Sequence, residues 1–245
     1  MKRFFIPVFL LCTVMAEAQI PDAKEILRRI DQNMSSENRV FTSKMVIHGR
    51  RSIRTIESKT WTGGEKKSFT EYLFPVREAG TKMLKLDNQL WIYSPSSDRI
   101  IQIAGHMLRQ SVMGSDLSYE DMMEDNKLLN HYNAEVTGSE KIGDRICWIL
   151  KLTAFDPEAA YQGMKLWVDQ ERYVPMKEEL YAKSGTLLKK TELSDIVNLK
   201  NRWFPKKIIF KDMLKEGGGT EFIIRDIQFN APIPDYIFSK ASLKK

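Results

Sequence analysis

The chain has 245 residues, 42% of them hydrophobic and 29% charged, with a net charge of +6, three histidines and two cysteines. That length and apolar content can bury a sizeable core. The basic residues are scattered among acids, with no basic stripe interleaved with stacking aromatics, which excludes nucleic acid as a partner, while the mild basicity suits an anionic membrane surface.

Lys2 and Arg3 precede an apolar run over residues 4–15, and Ala16-Glu17-Ala18 follows with small residues at signal-peptidase spacing. This order predicts a cleaved secretory leader at 1–18, a mature chain starting at Gln19 and a periplasmic location. The run is too short to anchor the chain across roughly 30 Å of hydrocarbon. Leu10-Leu11 before Cys12 does not make a lipobox. Without the leader, Cys147 is the only cysteine, so no internal disulfide can form. It sits in a strand-like run, Arg145-Ile146-Cys147-Trp148-Ile149-Leu150, where a cysteine acts as a small packed hydrophobe.

Ile26, Leu27, Ile30 and Met34 form an apolar stripe at helical spacing behind Pro21-Asp22, which predicts a helix over 22–34. Short alternating runs then predict strands near 39–48, 52–61, 67–74, 81–86, 89–94, 99–104, 134–141, 145–154, 163–169, 174–183, 186–197, 203–212 and 220–229. Turn signals such as Asp87-Asn88, Gly143-Asp144 and Ser184-Gly185 separate them. No linker, low-complexity stretch or fixed-period repeat divides the mature chain, so residues 19–245 are expected to form one domain. The class is mainly β: an antiparallel meander curled into a barrel or half-barrel.

The faces matter more than the count of strands. Ile146, Trp148, Leu150 and Leu152 alternate on one face, as do Met164, Leu166 and Val168 on the next strand. A curled sheet must cover such a face. Two segments are available: the helix at 22–34 and residues 105–129. The latter mixes Met107, Met113, Leu117 and Met122 with Asp116, Glu120, Asp121, Glu124 and Asp125. It reads as a loop with a short helix near 118–124, capped by Ser115 or Asp116, the remaining acids solvating its outer face. Its methionines either fill a core under a long loop or accommodate variable apolar ligands. Trp91 and Tyr93 share one face of their strand, while Leu90 and Ile92 share the other, so both faces are partly apolar.

Motifs for catalysis are missing. The sequence has no zinc-protease His-Glu-x-x-His, no Gly-x-Ser-x-Gly elbow and no phosphate-binding glycine loop; Gly217-Gly218-Gly219 precedes a strand and reads as a hairpin tip. His48, His106 and His131 are far apart in sequence and not at metal-ligand spacing. The acids near Asp116 lack the calcium-loop arrangement. No cofactor, metal or catalytic residue is expected.

Gly80-Thr81, Trp91-x-Tyr93-x-Pro95-Ser96, Arg99 and Gly114-Ser115-Asp116-x-Ser118-Tyr119-Glu120-Asp121 together resemble the LolA-like outer-membrane lipoprotein-sorting proteins. Pro234-Asp235-Tyr236-Ile237-Phe238-Ser239 resembles that family's closing motif, in which Phe238 would tuck back against the barrel end. The resemblance implies a strongly curved half-barrel whose apolar cavity is covered by an N-terminal helix and a helical lid. It further implies a non-enzymatic periplasmic carrier of lipoprotein acyl chains or other lipids, a monomer, paired with an inner-membrane exporter of ABC or RND type. Candidate cavity residues are Met83, Trp91, Tyr93, Met107, Met113 and Leu117, with Met122, Trp148, Leu150 and Leu166. The alternative is an accessory or adaptor module that docks to an exporter without taking up lipid.

Overall fold

The computed structural model describes residues 22–123, 127–157 and 159–245; the expected leader and the start at Gln19 lie outside them. Helix α1 spans Ala23–Met34 and buries Ile26, Leu27 and Ile30 on the expected stripe. Its outer face carries Glu25 between Arg28 and Arg29, with the acid in the first turn, where the helix dipole favours it. Ser35 stops the helix: its N–H and its hydroxyl both donate to the Asp31 carbonyl, at 2.8 and 2.6 Å.

The strands are β1 (Asn38–His48), β2 (Ile53–Gly63), β3 (Lys67–Phe74), β4 (Lys82–Leu86), β5 (Gln89–Ser94), β6 (Arg99–Ile103), β7 (Tyr132–Ile142), β8 (Arg145–Ala154), β9 (Gly163–Asp169), β10 (Pro175–Tyr181), β11 (Leu187–Leu199), β12 (Arg202–Asp212), β13 (Gly219–Ile224) and β14 (Gln228–Phe229). Each strand expected from the sequence is present. The expected run at 220–229 divides into β13 and β14, both of which pair with β1.

Among the described residues the strands make one antiparallel sheet in the order β6-β5-β4-β3-β2-β1-β13-β12-β11-β10-β9-β8-β7. Two meanders, β1 to β6 and β7 to β13, are joined where β1 meets β13, with Ser43 opposite Ile224 and Ile47 opposite Thr220. β6 and β7 remain as edges, so the curved sheet is open and not a closed barrel. Register shifts at Glu57/Ser58, Val136/Gly138 and Leu180/Tyr181 add local twist to the natural coiling of the strands.

Helix α1 covers one half of the concave face. Ile26, Leu27 and Ile30 pack on Trp148, Leu150, Leu152, Met164, Leu166 and Val168, all buried. Fully burying one such side chain is worth about 1.5–3 kcal/mol, so this contact dominates the docking of the helix. Ile146, expected on the same face, is instead 59% exposed at the start of β8. On the opposite face of the other meander, the C-terminal 3-10 turns Asp235–Phe238 and Lys240–Lys244 fold back over the sheet. There Leu243 is buried with Phe69, Leu84 and Trp91, and Phe238 packs on that cluster as the closing motif implies.

Candidate functional site: a cavity beneath a tethered lid

The connection from β6 to β7 crosses the concave face as two 3-10 turns, Gly105–Arg109 and Val112–Gly114, and a short helix α2, Tyr119–Met123. The cap of α2 is Ser118, one residue before the first turn, and not the expected Ser115 or Asp116. Ser118 N–H donates to the Asp121 carboxylate at 2.6 Å, and Asp121 N–H donates to Ser118 Oγ at 3.2 Å, a reciprocal capping box. Asp116 is used differently. Buried at 8% exposure, it accepts from Thr220 Oγ1 at 2.7 Å and from Asp212 N–H at 3.0 Å, tying the lid to β12 and β13.

Further ties come from the sheet. Lys189 on β11 and the Tyr161 hydroxyl both donate to Asp121. Lys85 on β4 donates to the Met123 carbonyl at 2.9 Å, and Arg54 on β2 to the Met113 carbonyl at 2.9 Å. Lys215 donates to Ser111 Oγ and to the Ser115 carbonyl. The lid is therefore held by side chains from both meanders.

Beneath it lies a cavity of about 250 Å³. That is just below the roughly 300–1,000 Å³ usual for small-ligand sites. Its wall follows the strand register in successive rows. Arg39, Thr62, Ser68 and Lys85 form one row across β1 to β4. Phe41, Thr60 and Thr70 form the next, followed by Ser58 and Tyr72, with Ser43 buried beside Ser58, then Met45 and Ile56. Phe204, Ile208 and Phe210 from β12, with Phe222 and Ile224 from β13, form the opposite wall, and Val112, Leu117 and Met122 the roof. The wall hydroxyls satisfy one another, Ser43 with Ser58 at 2.9 Å and Thr60 with Thr70 at 3.0 Å, which removes most of the cost of placing them beside apolar surface.

A family model described as uncharacterized protein-like matches residues 64–245. The chain belongs to that family. Three solved structures share its architecture. An outer membrane lipoprotein-sorting protein domain, so described, from Vibrio parahaemolyticus is 21% identical over 91% of this chain and 98% of its own, with a TM-score of 0.79. A DUF1329 family protein from Desulfovibrio piger is 22% identical over 90% and 97%, with a TM-score of 0.82. A LolA superfamily protein from Nitrosomonas europaea is 24% identical over 91% and 100%, with a TM-score of 0.76. No curated protein matches the chain. The fold is LolA-like.

Within this LolA-like sheet the ten residues singled out from the sequence separate into distinct places. Leu117 and Met122 line the cavity. Met113 packs beside Leu117 against Met45, Ile56 and Tyr72. Met83 and Met107 join Met122 in an adjoining cluster under the lid. Trp91 and Tyr93 lie with the C-terminal turns, Lys240 standing over the Trp91 ring at 4.0 Å. Trp148, Leu150 and Leu166 lie under α1. The aromatic and aliphatic wall from Phe41, Ile56, Phe204, Ile208 and Phe222 is not among the residues expected from the sequence. One signal was available: in β2, Ile56, Ser58, Thr60 and Thr62 alternate with Glu57, Lys59 and Trp61, a half-buried strand whose inner face is small and hydroxylic.

The titratable groups set the local chemistry. Arg39 donates from Nη1 to the Met34 carbonyl at 3.0 Å, while its buried Nε has no partner among the described residues. Burial lowers the pKa of its guanidinium, an effect opposed by Glu65 at the same mouth. Burial pushes the Glu178 carboxyl up to about 7, partly offset by the Thr191 hydroxyl that donates to it. Cys147 is fully buried and its thiol is pushed up to about 11, also by burial, which leaves it inert as a nucleophile at neutral pH. His48 meets Glu221 and His131 meets Asp156, each at 2.9 Å, and His106 is exposed. Among the described residues no group of three or more His, Cys, Asp or Glu could hold a metal ion, and no helix is long and apolar enough to cross a membrane.

Proposed function

We propose that the protein is a periplasmic carrier that takes acyl chains of lipoproteins or other lipids into the cavity and passes them towards the outer membrane. The observation that supports this best is a largely apolar cavity between a curved sheet and a lid that is tethered to it without belonging to it. Each methylene moved from water into such a site gains roughly 0.8 kcal/mol, ample drive for capturing a long chain. Release needs an apolar acceptor and an opening. A lid held by side-chain ties and not by strand pairing can open without unzipping any strand pair, so handover need not disturb the sheet.

In this reading residues 1–18 are a cleaved leader, residues 19–245 act as one unit, and an inner-membrane exporter of ABC or RND type is the donor. Leu117 and Met122 are the lid residues that touch the chain, with Met113, Met83 and Met107 repacking behind them. The test is native mass spectrometry of protein released from the periplasm, together with titration by a fluorescent fatty acid. Co-purified acyl lipid and saturable binding are expected. Absence of both would leave the adaptor role as the better account.

A further inference from the structure

The cavity is not uniformly apolar, and its polar side is organised. Across β1 to β4, Arg39, Thr62, Ser68 and Lys85 stand in one row of the register, and all four line the cavity. The rows deeper under the lid become apolar, ending in Met45 and Ile56 beneath Val112 and Leu117. Arg39 is the unusual member. Among the described residues its buried Nε has no hydrogen-bond partner, and no carboxylate forms an ion pair with it. Nε itself is closed off from the cavity, so a ligand there meets Nη2, for which the described residues supply no hydrogen-bond partner, and an oxyanion is the group that satisfies it.

We propose that Arg39, with the Thr62 hydroxyl opposite it, is the headgroup site for a single-chain amphiphile ending in an oxyanion, a carboxylate or a phosphate. The hydrocarbon tail runs from there past Phe41 and Met45 towards Leu117. Arg suits this task because its planar fork presents several donors to an oxyanion at once and keeps its charge when buried. The inference deepens the carrier reading and rests on it: it makes the charge of the cargo, and not only its tail, a determinant of selection. An uncharged diacylglyceryl group leaves the Arg39 donors unpaired.

The experiment is competition of dodecanoate, dodecyl phosphate and monododecanoylglycerol, equal in chain length, against a fluorescent fatty acid bound to the whole mature protein. The two anions should displace the probe at concentrations roughly tenfold or more below that of the glyceride, and the better of the two identifies carboxylate or phosphate as the preferred head. Arg39→Gln should weaken both anions by about ten- to hundredfold and leave the glyceride unchanged, whereas Arg39→Lys should recover part of the loss. Equal binding of all three by the wild type overturns this inference while the carrier reading stands, as does an Arg39→Gln protein, folded by circular dichroism, that weakens all three alike. Failure of every amphiphile to bind overturns both. The wild-type comparison decides the matter even if Arg39→Gln does not fold.

Discussion

Lys189, on β11, donates to the carboxylate of Asp121, in the short helix α2 that follows β6. Lys189 belongs to the second meander and Asp121 to the segment that leaves the first, so one ion pair joins the lid to the half of the sheet remote from the strand it follows. Their side chains are only 7% and 13% exposed. In that setting an ion pair adds geometry more than net stability, and breaking it from one side is expensive because the remaining charge is stranded.

Lys189→Met should therefore destabilise the protein by about 3 kcal/mol, and Asp121→Asn by a similar amount, since Asp121 also holds the Tyr161 hydroxyl and the Ser118 amide. The double variant should cost clearly less than the sum, the mark of direct coupling. Hydrogen exchange is the second readout. Amides of residues 112–123 should exchange faster in either variant while those of β8 and β9 keep their protection. If urea melts show simple additivity, the pair is not a latch.

The cavity wall and the core can be separated by substitution. Leu117 lines the cavity, whereas Trp91 packs with Leu243 on the other side of its sheet. An aspartate at 117 must lose its water when an acyl chain enters, at a cost of several kcal/mol, so Leu117→Asp should abolish uptake of a fluorescent fatty acid. Trp91→Ala should cost stability, about 3–5 kcal/mol, and leave affinity within a factor of two or three wherever the protein stays folded. Ile146→Asp, at an exposed position, should alter neither. Equal loss of binding in the Leu117 and Trp91 variants would contradict this assignment of walls.

The strands and α1 could be read from the sequence because local pattern decided them. The alternation of Trp148, Leu150 and Leu152 in β8 and the stripe of Ile26, Leu27 and Ile30 match their burial, whereas Ile146 at the strand start is exposed and Cys147 is buried on the other face. The site could not be read that way. Its polar wall uses Ser58, Thr60 and Thr70, which carry no hydrophobic signal yet are buried because each bonds to a neighbour across the sheet. Its other wall exists only because β1 pairs with β13, bringing Met45 opposite Phe222. No local pattern announces such a pairing. Asp121 illustrates the same limit: its tie to Lys189 depends on the whole sheet curling round.

Gly114 is a smaller test of the lid. Its φ of +73° disfavours any residue with a Cβ, and a Cβ there would stand 2.7 Å from the Arg54 Nη2 atom that donates to the Met113 carbonyl. Gly114→Ala should cost about 1–2 kcal/mol through the backbone alone. It should also displace Arg54, so Arg54→Ala added to it should cost little more. A double-variant cycle measured by thermal melting checks this, and full additivity would mean that Arg54 adapts without leaving its carbonyl.

Glu178 gives the fold a pH dependence of unusual sign. It sits on β10 between Leu166 on β9 and Thr191 on β11, and burial raises its carboxyl from the ordinary 4.5 to about 7. Between those two values the native state holds a proton that the unfolded chain has released. Unfolding free energy must therefore fall as pH rises from about 4.5 to about 7, and this contribution is fully present below 4.5 and spent above 7. Asp169, whose carboxyl is held low by Arg145 and by the amides of Glu171 and Arg172 despite its burial, acts the other way and only under acid conditions. Comparing Glu178→Gln with the wild type isolates the first effect, since the amide keeps a polar partner for Thr191 and cannot ionise. The variant should melt close to the wild type at pH 5, gain on it up to about pH 7 and hold that advantage at pH 8. Parallel melting curves across that range would mean that Glu178 ionises as freely in the folded protein as in water.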